Sequence, residues 1–267
     1  MRGAAGTPLP AAYAAFKAAG IDICRSQLTL IVGKPGGGKS FLAMNLIARM
    51  KVPTLAFLLD TQELTAAARF GSIATGHSFA AVKDALARDS REYDQVFANE
   101  LGHIRLCFRA NGPEAVRKEL LAFEQRFGLP PDCVLVDNLG NQASMLENEW
   151  AASKALTLEY DGLAKEAGAA FICTAHTRDL GYDGPAGATA VLGNILQYAR
   201  LVLSVGFSPA TFGMGVAAVK NTEGPSDPRA ERPIVLHADA ARMQLSEYVP
   251  PMVRTSGWGG GLWVPDE

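Results

Sequence analysis

Little in this chain of 267 residues points to an oxidising compartment, a membrane or a broad polyanion-binding surface. Its four cysteines, Cys24, Cys107, Cys133 and Cys173, stand far apart, with no C-x-x-C pair and no metal-ligand spacing. That argues against a disulfide-stapled secreted domain and against a zinc module. Cys107, Cys133 and Cys173 fall in strand-like runs, where a free cysteine behaves as a small buried hydrophobe. No apolar run approaches the length needed to span a bilayer, so no membrane contact is expected. Met1 to Pro10 carries one arginine among small residues, not the basic start and long apolar segment of a secretory leader. A reducing, cytoplasmic setting is the expectation. Charged residues make up 19% and the formal net charge is −2, so there is no global basic excess to coat duplex DNA. A narrow basic channel built by several subunits is compatible with that balance. With 48% hydrophobic residues the chain can bury a full core, and one domain with short extensions is the simplest organisation.

What is present is more specific. The run Gly33-Lys34-Pro35-Gly36-Gly37-Gly38-Lys39-Ser40 fits G-x-x-x-x-G-K-[ST], the phosphate-binding P-loop. Leu28 to Val32 before it has the make-up of a buried strand, and Phe41 to Met50 after it that of an apolar-rich helix. A loop between those two elements can wrap backbone N–H groups around phosphate, and the helix N-terminus adds its positive end. Lys39 is expected to reach the β- and γ-phosphates of ATP, and Ser40 to hold Mg²⁺.

The rest of the chain alternates strand and helix signals up to about residue 176. Thr54 to Leu59, Ile104 to Phe108, Cys133 to Val136 and Ala169 to Thr174 are strand candidates. Leu64 to Gly76, Phe79 to Ala87, Gly112 to Phe127 and Glu147 to Ala167 are helix candidates. That order predicts an α/β fold with a mainly parallel twisted sheet flanked by helices. Leu201 to Val205, Gly215 to Val219, Pro233 to His237 and Arg242 to Leu245 follow as hairpin-like strands and predict an antiparallel extension at one edge. Asp179 to Ala190, rich in Gly, Asp and Ala, is expected to be a loop. The organisation expected is a lead and short helix over 1–20, an ATPase domain over 21–248, and a Gly- and Trp-containing tail over 249–267.

A P-loop enzyme needs a second acid to order Mg²⁺ and its water. Asp137 follows the wholly apolar run Cys133-Val134-Leu135-Val136, which would bury its side chains and deliver the carboxylate at the strand's C-terminal tip. A capping role for Asp137 is the plainer alternative. Hydrolysis also needs a residue to orient the attacking water. Asp60 follows the second strand and is the first choice, with Glu63 in reserve. That choice assumes the second strand flanks the P-loop strand. Either acid could instead cap the helix that follows. His176, just past Thr174, is placed to sense the γ-phosphate and relay its presence to the loop beyond.

Taken in order, these features resemble the RecA-like ATPase core, and most of all the hexameric replicative helicases of the DnaB and plasmid RepA types, including bacteriophage members. The likeness covers about residues 20 to 245. The family has an acid after the second strand and an arginine nine residues later, a spacing that Asp60 and Arg69 keep, although the family acid is commonly glutamate. Val134-Leu135-Val136-Asp137-Asn138 resembles its Walker B segment, and Leu163-Ala164-Lys165-Glu166 the end of its long helix. Thr174-Ala175-His176-Thr177 leans to the RepA type, which ends that strand in histidine. Near the C-terminal edge the family carries a lysine and, two residues on, an arginine, which reach the neighbouring subunit's ATP. Here Lys220 is kept, but Thr222 stands where the arginine is expected. Arg229 or Arg232 is then the candidate substitute, or turnover is slow, or the subunit contact differs.

The resemblance implies ATP and Mg²⁺ as cofactors, single-stranded DNA as substrate, a homo-oligomer of hexameric ring form, and a primase or loader as a further partner. It maps the DNA-binding loops to Leu139–Trp150 and Arg178–Asn194. The first has no Lys or Arg, and the second contributes Arg178 and several glycines. The leading expectation is therefore an ATP-dependent motor on single-stranded DNA, a replicative helicase. A RecA-like recombination or loading ATPase and a non-motor nucleotide-binding assembly protein stay open beside it.

Overall fold

The computed structural model describes residues 6–109, 112–140 and 149–247. Nine strands form one sheet: β1 (Leu28–Gly33), β2 (Thr54–Leu58), β3 (Ile104–Cys107), β4 (Cys133–Asp137), β5 (Ala170–His176), β6 (Leu201–Ser208), β7 (Gly213–Asn221), β8 (Ile234–Asp239) and β9 (Gln244–Glu247). Their order is β3-β2-β4-β5-β1-β6-β7-β8-β9. The first six in that order run parallel, and β6 through β9 are antiparallel neighbours. The expected mixed sheet with an antiparallel extension is thus what forms.

The continuous apolar runs become strands because helices cover both sheet faces. On one side lie α1 (Ala14–Ala18), α2 (Lys39–Met50) and α3 (Glu63–Thr75), with α4 (Phe79–Ala87) and α5 (Asp94–Leu101) packed on α3. On the other lie α6 (Pro113–Phe127) and α7 (Glu149–Ala167). Alternate strand residues divide between the two cores. Ile31, Leu135 and Ile172 join the layer of α2, whereas Leu30, Val134, Val136 and Phe171 join that of α6 and α7. Along α2 only Ser40 and Arg49 escape full burial, so this helix is the central plank of its layer.

One expectation is overturned here. β2 does not flank the P-loop strand: β4 and β5 lie between β2 and β1. A right-handed β–α–β crossover fixes the hand of the connection from β1 to β2 but not how many strand positions it skips. Both intervening strands are buried almost throughout, covered by helices on both faces. β3, with Arg105 exposed and Leu106 and Cys107 half-buried, takes the edge.

The structure adds α5 and two 3₁₀ segments, Ala188–Ala190 and Leu192–Tyr198, that residue pattern does not mark. Only Leu101 of α5 is buried, so its apolar stripe is faint. The β8–β9 hairpin is stapled to α2 by polar groups. Asn45 is fully buried; its Nδ2 donates to the Met243 carbonyl at 3.1 Å, and its Oδ1 accepts from the Leu245 N–H at 3.3 Å. The tail 249–267 and most of the loop expected over Leu139–Trp150 lie outside the described residues.

Candidate nucleotide site

The site stands at the C-terminal ends of the parallel strands, where open α/β sheets take ligands. β1 ends at Gly33 and α2 begins at Lys39, so Lys34 to Gly38 form the loop between them. Two glycines are sterically required. A Cβ on Gly33 would sit 2.7 Å from the Val205 carbonyl oxygen of β6. Gly38, the N-cap of α2, has φ +92°, a conformation that L side chains rarely adopt. The resulting cradle presents the first N–H groups of α2, which have no partner within the helix. Ser40 lies half-buried in that first turn.

Lys39 is only 7% exposed. Its Nζ donates to the carbonyls of Gly33 at 3.1 Å and Lys34 at 3.0 Å, and lies 3.2 Å from Nδ1 of His176. Burial pushes its pKa down from the ordinary lysine value to about 8, against the opposing charge of Asp137. The meeting of Lys39 and His176 follows from register. β5 is parallel to β1, and His176 is level with Gly33. The next residue, Thr177, donates its N–H to the Gly33 carbonyl at 3.2 Å.

Asp137 ends β4 and is 4% exposed. Its Oδ1 accepts from the Thr174 hydroxyl of β5. Asp60 lies two residues beyond β2, which pairs with β4, so Asp60 and Asp137 share a rim although β2 and β1 are not neighbours. The Asn138 amide donates to Asp60 Oδ2. Shielding by surrounding protein atoms and then the Asp137 charge hold the Asp60 carboxyl above its usual range, with the Asn138 amide opposing them. Lys39, His176, Asp137 and Asp60 therefore form one electrostatically linked group. Glu63 does not join it. As the first residue of α3 it lines a groove with Arg105 and Arg109.

Three contributors were not given roles from sequence: Thr174, Asn138 and Asp183. Thr174 falls level with Asp137 only once β4 and β5 are known to be neighbours, and residue spacing alone does not reveal that. Lys34 Nζ pairs with Asp183 Oδ1 at 2.9 Å, tying the phosphate loop to the segment after β5. That segment is pressed onto the sheet: a Cβ on Gly206 would come 2.2 Å from the Gly184 carbonyl carbon.

Lys220, on β7, sits apart from the cluster. Its Nζ donates to the Leu196 carbonyl at 2.7 Å and to that of Gln197 at 3.3 Å, at the end of the second 3₁₀ segment. Thr222 donates its hydroxyl to the Arg200 carbonyl at 3.2 Å. Arg229 and Arg232 are exposed on the β7–β8 connection, and Arg178 is exposed just past β5. No group of three or more His, Cys, Asp or Glu among the described residues could hold a metal unaided. The fit to Mg²⁺ is of the P-loop kind, in which a hydroxyl, a buried carboxylate and phosphate oxygens share the ion. Among the described residues no helix is long and apolar enough to cross a membrane.

The family model described as AAA domain matches residues 22–181, a span that contains every residue of the linked cluster. The Gene 65 protein of Mycobacterium phage L5 is 27% identical over 261 residues, covering 93% of this chain and 96% of that protein. Its namesake from Mycobacterium phage D29 is 26% identical over 236 residues, covering 83% of this chain and 99% of that protein. Among solved structures, one described as an ATPase domain aligns with a TM-score of 0.76 at 13% identity, over 90% of this chain and 91% of that one. A DnaB-like replicative helicase, described with its interactions with primase, aligns with a TM-score of 0.72 at 13% identity, over 90% of this chain and 62% of that one. The chain belongs to the AAA domain family and is a P-loop ATPase of RecA-like fold.

Proposed function

We propose that this chain is an ATP-driven motor on single-stranded DNA, a replicative DNA helicase whose copies assemble into a hexameric ring, with a primase or loader as a further partner. The observation that carries this reading is the contact of Lys39 with His176. It joins the phosphate-binding lysine to the strand that feeds the segment 178–194, the best-placed DNA-contacting segment. The resemblance of this fold to a DnaB-like replicative helicase supports the same reading.

In this mechanism the phosphates of ATP draw Lys39 away from the Gly33 and Lys34 carbonyls. Anionic oxygens favour the ammonium form, so phosphate binding offsets the burial that otherwise disfavours the charged lysine. Ser40 and Asp137 would hold Mg²⁺, which neutralises phosphate charge when bound. Thr174 fixes the Asp137 carboxylate through its hydroxyl. Asp60, steadied by the Asn138 amide, orients the water that attacks the γ-phosphorus in line with the departing diphosphate. His176 loses its lysine partner when ATP arrives and regains it on release. Both β5 and the Lys34–Asp183 pair carry that change to the segment bearing Arg178.

Lys220 would serve the neighbouring subunit's nucleotide after leaving its own two carbonyl partners. Thr222 offers no charge there, so Arg229 or Arg232 would supply any arginine in trans. The bonding of Thr222 back to its own chain favours a second reading, an assembly ATPase with slow turnover. Displacement of a labelled strand from a forked duplex separates the two. The motor reading expects ATP-dependent displacement that Lys39→Ala abolishes. Hydrolysis without displacement would favour the assembly protein.

A further inference from the structure

β3 is one edge of the sheet, and among the described residues no strand pairs with its outer side. A groove lies along each of its faces. One, of about 610 Å³, is lined by Phe70, Phe97 and Leu101 together with Arg105. The other, of about 620 Å³, is lined by Arg105, Arg109, Arg126, Phe127 and Cys107. The Arg105 guanidinium lies 4.9 Å from the Phe127 ring centroid, and that of Arg126 5.6 Å. Glu63 and Glu119 line the same groove, yet no carboxylate of the described residues is within ion-pair distance of Arg105, Arg109 or Arg126. Exposed edge strands are usually blunted or covered, because their free N–H and C=O groups template pairing. This one is short and carries the exposed Arg105, yet a groove flanks each of its faces, and pockets for alternate side chains are what an added strand uses.

The sequence contains a segment of matching chemistry. Leu262-Trp263-Val264-Pro265-Asp266-Glu267 has three residues of strand character followed by two carboxylates. In an added strand, Leu262 and Val264 would face one groove and Trp263 the other. That places two aliphatic side chains over the phenylalanine-lined groove and the indole beside the guanidiniums, a cation–π arrangement. Pro265 has no N–H and would end the pairing. Asp266 and Glu267 would then meet the unpaired arginines.

We propose that the β3 edge of one copy binds the segment Leu262–Glu267 of a second copy as an added strand. Reach favours the second copy. The tail leaves from β9, at the opposite edge, and eight strand spacings separate the two edges by about 38 Å. The fifteen residues from Glu247 to Leu262 span at most about 50 Å fully extended, and the path must also climb over a helical layer.

The test uses the full chain carrying Pro265→Cys. In an added strand this position shares a face with Trp263, the face of Cys107, and the other three thiols are buried. Mild oxidation with oxidised glutathione is expected to give covalent dimers at several-fold higher yield than Thr255→Cys. The dimers should disappear in the Pro265→Cys/Cys107→Ser chain. As a second readout, a labelled peptide of residues 257–267 should bind the Trp263→Ala full chain saturably, and Arg126→Glu should weaken it about tenfold. Equal cross-linking at 255 and 265, a product that survives Cys107→Ser, an internally linked monomer, or no saturable peptide binding would each overturn the proposal.

Discussion

Replacing Lys39 by methionine should abolish hydrolysis and change how stability depends on pH. A pKa near 8 in the folded chain, against the ordinary 10.5, means that burial disfavours the ammonium. Below pH 8 the lysine is charged in both states, and the folded state carries a penalty of about 3 kcal/mol, at 1.36 kcal/mol per pKa unit. Between about pH 8 and 10.5 the unfolded chain holds the extra proton, so stability rises with pH. The wild-type chain should therefore gain about 2.5 kcal/mol relative to Lys39→Met from pH 7 to pH 10. Taking the difference between the two chains cancels every other titrating group, including Cys133 and Cys173, whose thiols burial pushes up. Against the relieved penalty, the variant loses hydrogen bonds to two carbonyls, about 1 kcal/mol each. At pH 7 the net gain for Lys39→Met is thus about 1 kcal/mol. Urea unfolding of both chains across that pH range gives the curve. Parallel pH profiles would refute the argument, because they would mean that Lys39 keeps an ordinary pKa when folded.

Other perturbations test other parts of the account. Leu135→Ala, at a fully buried position of β4, should cost about 2–5 kcal/mol by denaturant unfolding. Gly206→Ala must displace backbone at Asp183 and Gly184. Limited proteolysis should then cut more readily within 179–187, with a loss of about 1–3 kcal/mol. Asn138→Ala removes the one group that favours the Asp60 carboxylate, so its pKa rises further. The acid limb of the hydrolysis pH profile should move to higher pH, and an unmoved limb would remove Asp60 from its assigned role. Lys220→Ala should lower turnover while leaving nucleotide binding by the isolated chain unchanged, as measured by titration with a fluorescent ATP analogue.

Much of this was legible in the chain itself. The P-loop declares itself by spacing, and the strand and helix on either side of it by composition. The buried strands were visible because runs such as Cys133 to Val136 have no polar residue to place anywhere but inside. Strand order was not legible, since crossovers of similar length can skip different numbers of strands. That is why Asp60 was expected beside β1, when it reaches the site through Asn138 and β4. The same gap hid Thr174, a threonine in an apolar strand whose meaning depends on which strand lies beside it. Asp183 was hidden for another reason: a glycine-rich loop gives no periodic signal, and the glycine cradle that seats it belongs to β6. Glu63 shows the limit of distance along the chain as a guide. Three residues beyond Asp60, it begins α3 and lines the groove shared with Arg105 and Arg109.

The central claim is that the linked cluster around Lys39 drives work on single-stranded DNA. Steady-state ATP hydrolysis at high protein concentration, with and without single-stranded DNA and with Lys39→Ala as the blank, tests it most directly. The account predicts Mg²⁺-dependent hydrolysis that DNA stimulates many-fold and Lys39→Ala abolishes. Hydrolysis indifferent to DNA, or turnover that survives in Lys39→Ala, would contradict it.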